Sequence, residues 1–519
     1  MASATRLRRS RDAWNEKAVH RGEALRQMRK DKERLRRVAV RIRQERVELE
    51  VALESLKATV AAKDRELSSI GKDLAALRAA NDNRADVVPM DSHVHTRALC
   101  VKLVIAGVIS FRSVPRVLDV FSRQEQRLPG WIPHFSSVIN WALRTGVHVF
   151  RKVGRLREPW LALVDCSIDI GVKKALVVLR VPLAAVQREE GAVRLRDCEC
   201  IGLKVTGQWN GDLVRAELSD VFGRAGNPIA LIKDQGTDLA KGVRLYRQES
   251  RALHMGIVDD VGHATANALK ATYAHQPSFR RYLEVVAKGA ARIRQTDLAF
   301  LLPPRIRSKG RFMGISSLAK WTSKVQSLLN GATCLGEKHR TRLMEAFGGL
   351  LPLQGFIEGF VESASCLEGF LALLKNEGLN QASYVKAGMA LARLTRVPEL
   401  RARMEKWLET QVRVHRSLGI GQQRLLVSDD IIESLFGLFK VVMQRSPRAE
   451  LNRLVYTIPL LCGDLGSEQV GTALQKCSHE DMRRYIARHI PETLRQQRLR
   501  VLNTEHPAGQ EPGNVGGWR

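Results

Sequence analysis

The sequence predicts a multidomain chain of mixed class, with a small α/β core set among predominantly helical segments. Three observations predict it. Short apolar runs rich in β-branched residues are confined to residues 160–258. The stretches on either side carry helical periodicity, and the first 82 residues are highly charged and nearly free of Gly and Pro. At 519 residues the chain exceeds one ordinary core and suggests about two to four domains.

Residues 1–82 read as a basic helix and coiled coil. One heptad position runs Leu35, Ile42, Leu49, Leu56, Lys63, Ile70, Leu77, and its partner position runs Ala39, Arg46, Leu53, Val60, Leu67, Leu74. Such a seam pairs chains, with Lys63 as a polar interruption that fixes register. Residues 1–50 carry 16 Lys/Arg against 8 acids, so the basic end suits phosphate while the seam suits a homodimer or higher oligomer. Residues 83–92 break the pattern as a linker.

Residues 93–155 read as a helix-turn-helix-like DNA-binding region. Thr96 to Phe121 and Pro133 to Phe150 are helical around the turn-like Leu128 to Trp131. The later helix has an apolar face through Val138, Trp141 and Ala142, leaving Asn140 and Arg144 outward as candidate contacts to a major groove.

From residue 159 to 270 the texture changes. Trp160 to Ile170, Lys174 to Val181 and Arg194 to Val205 predict a three-stranded antiparallel meander. A helix at Asp212–Phe222, a strand at Ile229–Lys233, a helix near Leu239–Arg247 and a strand at Leu253–Val258 follow. Three strands, helix, strand, helix, strand is the order of the ribonuclease H-like fold. Residues 271–425 read as an all-α insertion, 426–500 as completion of the core with C-terminal helices, and 501–519 as a disordered tail.

A formal charge of +30 and a pI near 10.3 favour a polyanionic partner, because basic surfaces gain affinity by releasing counterions from phosphate. No run approaches the roughly 20 apolar residues that cross a bilayer, and the N-terminus is not signal-like. A cytoplasmic protein, nucleoid-associated in a bacterium and without a membrane partner, is expected. Eight cysteines are scattered without a paired C-x-x-C framework, and Cys198-Glu199-Cys200 reads as reduced structural thiols.

Three acids stand where two-metal phosphodiester chemistry needs them: Asp165 in the first strand, Asp234 just after the fourth, and Glu433 early in an amphipathic helix. Carboxylates are hard donors suited to a pair of Mg²⁺ (or Mn²⁺) ions about 4 Å apart. Asp169 shares the strand face of Asp165 and could replace it. Asp259 and Asp260 end the fifth strand and either could approach the metals. Asp429 and Asp430 suit the helix N-terminus, where Ser428 or Asp429 can cap.

On these residues the chain resembles the DDE transposases of bacterial insertion sequences and their eukaryotic relatives, over about 159–270 and 425–445. Asp260-Val-Gly-His263 resembles the Cys-or-Asp, two residues, His motif of several transposase superfamilies, which implies that His263 lies near the active site and the DNA. Lys440, seven positions after Glu433, matches a spacing at which some of these enzymes contact the transposon-end phosphate; the Tyr and Arg of that longer signature are not matched. The resemblance implies cleavage at transposon ends and transfer of the released 3′-hydroxyl to target DNA, on double-stranded DNA. A catalytically inactive, transposase-derived DNA-binding protein and a ribonuclease H-like nuclease are the competing readings.

Overall fold

The computed structural model describes residues 92–503 apart from 125–130, 167–171, 189–191, 306–311, 313, 332–335 and 444–449, together with scattered positions between 14 and 68. It forms two compact units, 1–90 and 91–519. In the first, the described positions are helical. Leu53 and Val60 of the heptad pattern are each 53% exposed in this single chain, and the remaining apolar seam positions lie outside the described residues, as does Asp169.

The second unit is organised by a five-stranded sheet. Its strands are β1 (Trp160–Asp165), β2 (Lys174–Pro182), β3 (Glu199–Thr206), β4 (Ala230–Lys233) and β5 (Gly256–Asp259), in the order β3-β2-β1-β4-β5. The first three pair antiparallel, whereas β1, β4 and β5 run parallel. Parallel strands are covered on both faces, so they read as continuous apolar runs rather than as alternation; every residue of β1 and β4 is buried.

Each face has its own core. Ala162, Val164, Leu176, Val178 and Leu231 face the helices Gly211–Ala225 and Thr237–Glu249. Those two helices approach closely because Gly242 has no Cβ, which would lie 2.4 Å from the side chain of Val214. Leu161, Leu163, Val177, Ile232 and Val258 face the larger core.

Numbering the helices in chain order, α1 (Ser92–Ile105), α2 (Ser113–Gln124) and α3 (Phe135–Arg151) precede the sheet; α4 (Leu183–Val186), α5 (Gly211–Ala225) and α6 (Thr237–Glu249) lie within it. After β5 come α7 (Val261–Tyr273), α8 (Pro277–Ile293), α9 (Ile315–Leu329), α10 (Glu337–Phe347), α11 (Gln354–Glu377), α12 (Gln381–Leu391) and α13 (Pro398–Ser417), an excursion without a named strand among the described residues. Its interior is aromatic: Phe279, Tyr282, Phe356 and Phe360 cluster around Tyr273 in mostly tilted and edge-on contacts, and the Tyr282 hydroxyl bonds Thr322 at 2.5 Å. The chain then returns as α14 (Asp430–Met443), a 3-10 segment at Arg453–Leu460, α15 (Ser467–Lys476), α16 (His479–His489) and α17 (Leu494–Asn503). No helix among the described residues is long and apolar enough to cross a membrane.

The helix expected to enter a major groove has a different setting. Val138, Trp141, Ala142, Leu143, Thr145, Val147 and Phe150 of α3 are all buried, which leaves little free face. A Cβ on Gly146 would lie 1.8 Å from the carbonyl oxygen of Tyr456, so the 453–460 segment lies directly on the helix. Arg144 donates to the carbonyls of Cys477, at 2.6 Å, and Leu474. Its guanidinium therefore caps the C-terminal end of α15 from within the protein, and Asn140 is half-buried on the same helix.

Candidate active site

The sheet register assembles the acids. Val164 of β1 pairs with Lys233 of β4, and Lys233 with Asp259 of β5. One residue further on, Asp165 ends β1 while Asp234 and Asp260 directly follow β4 and β5, a row of acids at one edge of the sheet, where neighbouring strands stand about 4.8 Å apart. Alternation puts the row on the face of Leu163, Ile232 and Val258, the face covered by the larger core. Lys233 and Asp259, one position back, belong to the opposite parity and pair with each other at 2.7 Å.

Each carboxylate is fixed locally. Asp165 is buried, and its Oδ1 accepts from the Cys166 amide at 2.5 Å. The Oδ1 of Asp234, which is half-buried, accepts from the Gly236 amide at 2.9 Å. A Cβ on Gly236 would lie 3.0 Å from that oxygen, so glycine lets the carboxylate fold over the turn. Asp260 is 1% exposed and caps α7: its Oδ2 accepts from the His263 amide at 2.5 Å and faces His263 Nδ1 at 3.0 Å.

The returning chain closes the row. The amide of Val261 donates to the carbonyl of Val427, and the amide of Asp429 to Asp260 Oδ1 at 3.0 Å. Leu379 and Leu425 bridge the excursion to the same segment. These bonds set the start of α14, whose face of Ile432, Leu435, Phe436 and Phe439 is buried, while Lys375 pairs with Asp430 at 2.7 Å. Glu433 lies on the exposed edge of that helix, and Lys440 is half-buried about two turns on.

The electrostatics tie these groups together. Burial alone would push the Asp260 carboxyl up, but hydrogen bonds from His263 and from the Asp429 amide outweigh it and hold Asp260 below the usual range. The bond to Asp260 raises the His263 imidazole, and Asp429 and Asp234 also act on it. Asp429 is raised by burial first, and then by repulsion from Asp260; Asp165 adds to that repulsion. Loss of hydration also raises Glu433, with the charges of Asp430 and Asp260 adding to the shift and His263 opposing it.

Asp165 ends β1 and Asp234 follows β4, so the two acids leave neighbouring parallel strands at one edge of the sheet; Glu433 lies on α14, and among the described residues the three acids do not form a group with ligand atoms within 4.8 Å of one another. Asn140 and Arg144 belong to a helix packed among the N- and C-terminal segments. The group that sequence reasoning passed over is Asp429. It holds the N-cap position of α14 through its backbone, its carbonyl accepting from Ile432 at 2.8 Å, yet neither of its carboxylate oxygens accepts a hydrogen bond among the described residues. The side-chain cap is Ser428, whose hydroxyl accepts from the Asp430 amide at 3.2 Å.

No family model matches this chain, and no curated protein matches it. Among solved structures, the chain is similar to one from the Drosophila P element transposase strand transfer complex, at 10% identity over 76% of this chain and 98% of that one, with a TM-score of 0.39. A likeness at that level bears on neither the site nor the activity.

Proposed function

We propose that this chain is a DDE-type DNA transposase with a ribonuclease H-like core, cutting at transposon ends and joining them to target DNA. The observation that carries the reading is the parallel register of β1 and β4 through Val164↔Lys233, from which strand alternation extended by one residue would set Asp165 beside Asp234 on one face of the sheet. The strand order, the helical excursion between β5 and α14, and a charge of +30 all support it. Asp165, Asp234 and Glu433 would hold the Mg²⁺ or Mn²⁺ pair, and half-exposed or exposed carboxylates of the kind seen at Asp234 and Glu433 suit ions that keep several waters.

The ions would supply charge stabilisation to the attacking and leaving oxygens. The protein's share is positional: β1 and β4 fix two carboxylates on a rigid sheet, and the 425–429 segment sets the helix bearing the third. Lys440 and, in the metal-free protein where the bond to Asp260 favours its cationic form, His263 are the side chains we assign to the DNA phosphates. The N-terminal heptads would pair two such chains so that two ends are held together.

The test is a duplex carrying the element's own end, incubated with purified protein and Mg²⁺. Nicking that yields a 3′-hydroxyl, followed by joining to a second duplex, is expected, with both steps lost in Asp165→Ala, Asp234→Ala and Glu433→Ala while binding persists. Cutting without joining would make the protein a nuclease, and binding without cutting a transposase-derived DNA-binding protein.

A further inference from the structure

At the β5 end of the acid row, and sharing Asp260 with it, lies a cluster that adds an imidazole to the carboxylates. Asp260, His263 and Asp429 each offer one ligand atom, and these three atoms lie within 4.8 Å of one another. His263 Nδ1 is 3.0 Å from Asp260 Oδ2 and 3.8 Å from Asp429 Oδ2. In a tetrahedral site with bonds of about 2.0–2.1 Å, neighbouring ligand atoms stand about 3.3 Å apart. The two observed separations bracket that value.

An independent observation points to a ligand. Asp429 is 1% exposed, and both of its oxygens lack a hydrogen-bond donor among the described residues. A buried carboxylate left without donors is costly, and a second buried carboxylate beside it adds repulsion. Asp260 is also 1% exposed, but it is anchored by the amides of His263 and Asp429 and so is held in one orientation. The backbone thus presets two carboxylates and an imidazole around one point, where Asp429 has only the imidazole of His263, at 3.8 Å, and the carboxyl of Asp260 beside it.

The geometry points to a binding site for one divalent transition ion, zinc by donor preference, held by Asp260, His263 and Asp429 and clasping β5 and α7 to the start of α14. An imidazole with two carboxylates suits Zn²⁺ better than Mg²⁺ or Ca²⁺, which take oxygen donors. The ion would lock the return of the helical excursion onto the sheet. It shares no ligand with the proposed Mg²⁺ pair and adds an imidazole donor, so either could fail without the other.

The experiment is metal analysis by mass spectrometry of the full-length protein, dialysed against micromolar ZnCl₂ and then against metal-free buffer. One zinc per chain is expected in the wild type and equally in Asp165→Asn. Asp429→Asn and, independently, His263→Gln should weaken zinc affinity at least about tenfold, with the far-ultraviolet dichroism of each variant showing whether it folds. In the wild type alone, chelation should lower the unfolding temperature and zinc should restore it. Wild-type protein that retains no zinc, with Asp429→Asn as stable as wild type or more so, would overturn the proposal in favour of a proton shared between Asp429 and Asp260. Zinc lost equally from Asp165→Asn would overturn it by placing the ion on Asp165.

Discussion

The amide of Asp429 donates to the carboxylate of Asp260 at 3.0 Å, joining two residues 169 positions apart and fastening the start of α14 to the end of β5. Asp260 accepts from His263 through the same side chain, so one buried carboxylate holds the turn after β5 and the helix that carries Glu433.

Asp260→Ala should therefore cost about 3 kcal/mol, because it strands buried donors that had a charged acceptor. Asp260→Asn, which keeps one acceptor oxygen, should cost less. Urea unfolding in the presence of chelator reads the difference without any contribution from metal. A loss below about 0.5 kcal/mol for the alanine variant would mean that α14 is anchored chiefly by its apolar face.

Arg144→Ala removes two hydrogen bonds to the carbonyls at the end of α15. The expected loss is about 2 kcal/mol of stability, seen in denaturant unfolding. The slope of DNA affinity against salt should be unchanged, since a residue engaged inside the protein releases no counterion. A shallower slope with unaltered stability would return Arg144 to the DNA surface.

Glu217 on α5 is buried, with Lys204 Nζ at 3.1 Å from its carboxylate. Burial raises its pKa above the ordinary 4.5, and the lysine offsets this only in part. Because the folded value exceeds the unfolded one, the fold binds more protons here than the unfolded chain does. Stability from this group is present below pH 4.5 and is lost as pH rises through the raised value. Glu217→Gln should thus be more stable than wild type at neutral pH and converge with it in acid, as measured by thermal unfolding across that range. A constant difference at all pH values would assign the effect to packing.

The sheet was legible because its residues announce it: β1 and β4 are buried along their whole length, and nearly continuous apolar runs suit such an environment. The fifth strand begins later than the apolar run suggests. Leu253 is 67% exposed and Arg251 adopts a φ of 54°, so a turn occupies the residues that hydropathy assigned to the strand. The groove-binding reading of α3 stopped short for a different reason. Its sequence shows one apolar face, whereas Gly146 and Thr145 are covered by chain that lies far away in sequence, and no local pattern reveals a distant cover. Asp429 was legible as a helix N-terminus, which its backbone is. That its side chain faces Asp260 and His263 follows only from β5 and α14 meeting.

The closure of α3 has a consequence for biosynthesis. Arg144 leaves the ribosome 330 and 333 residues before the carbonyls it binds, an interval on the order of tens of seconds at ordinary elongation rates. Val138, Trp141 and Ala142 share their cluster with Leu460, Val470 and Leu474 as well as with Ala98, Val101 and Leu118, so throughout that interval the helix waits with only the part of its cover that α1 and α2 supply. A message cut short before codon 453 yields a polypeptide that keeps part of this apolar surface uncovered, the kind of surface that makes incompletely folded chains prone to aggregate.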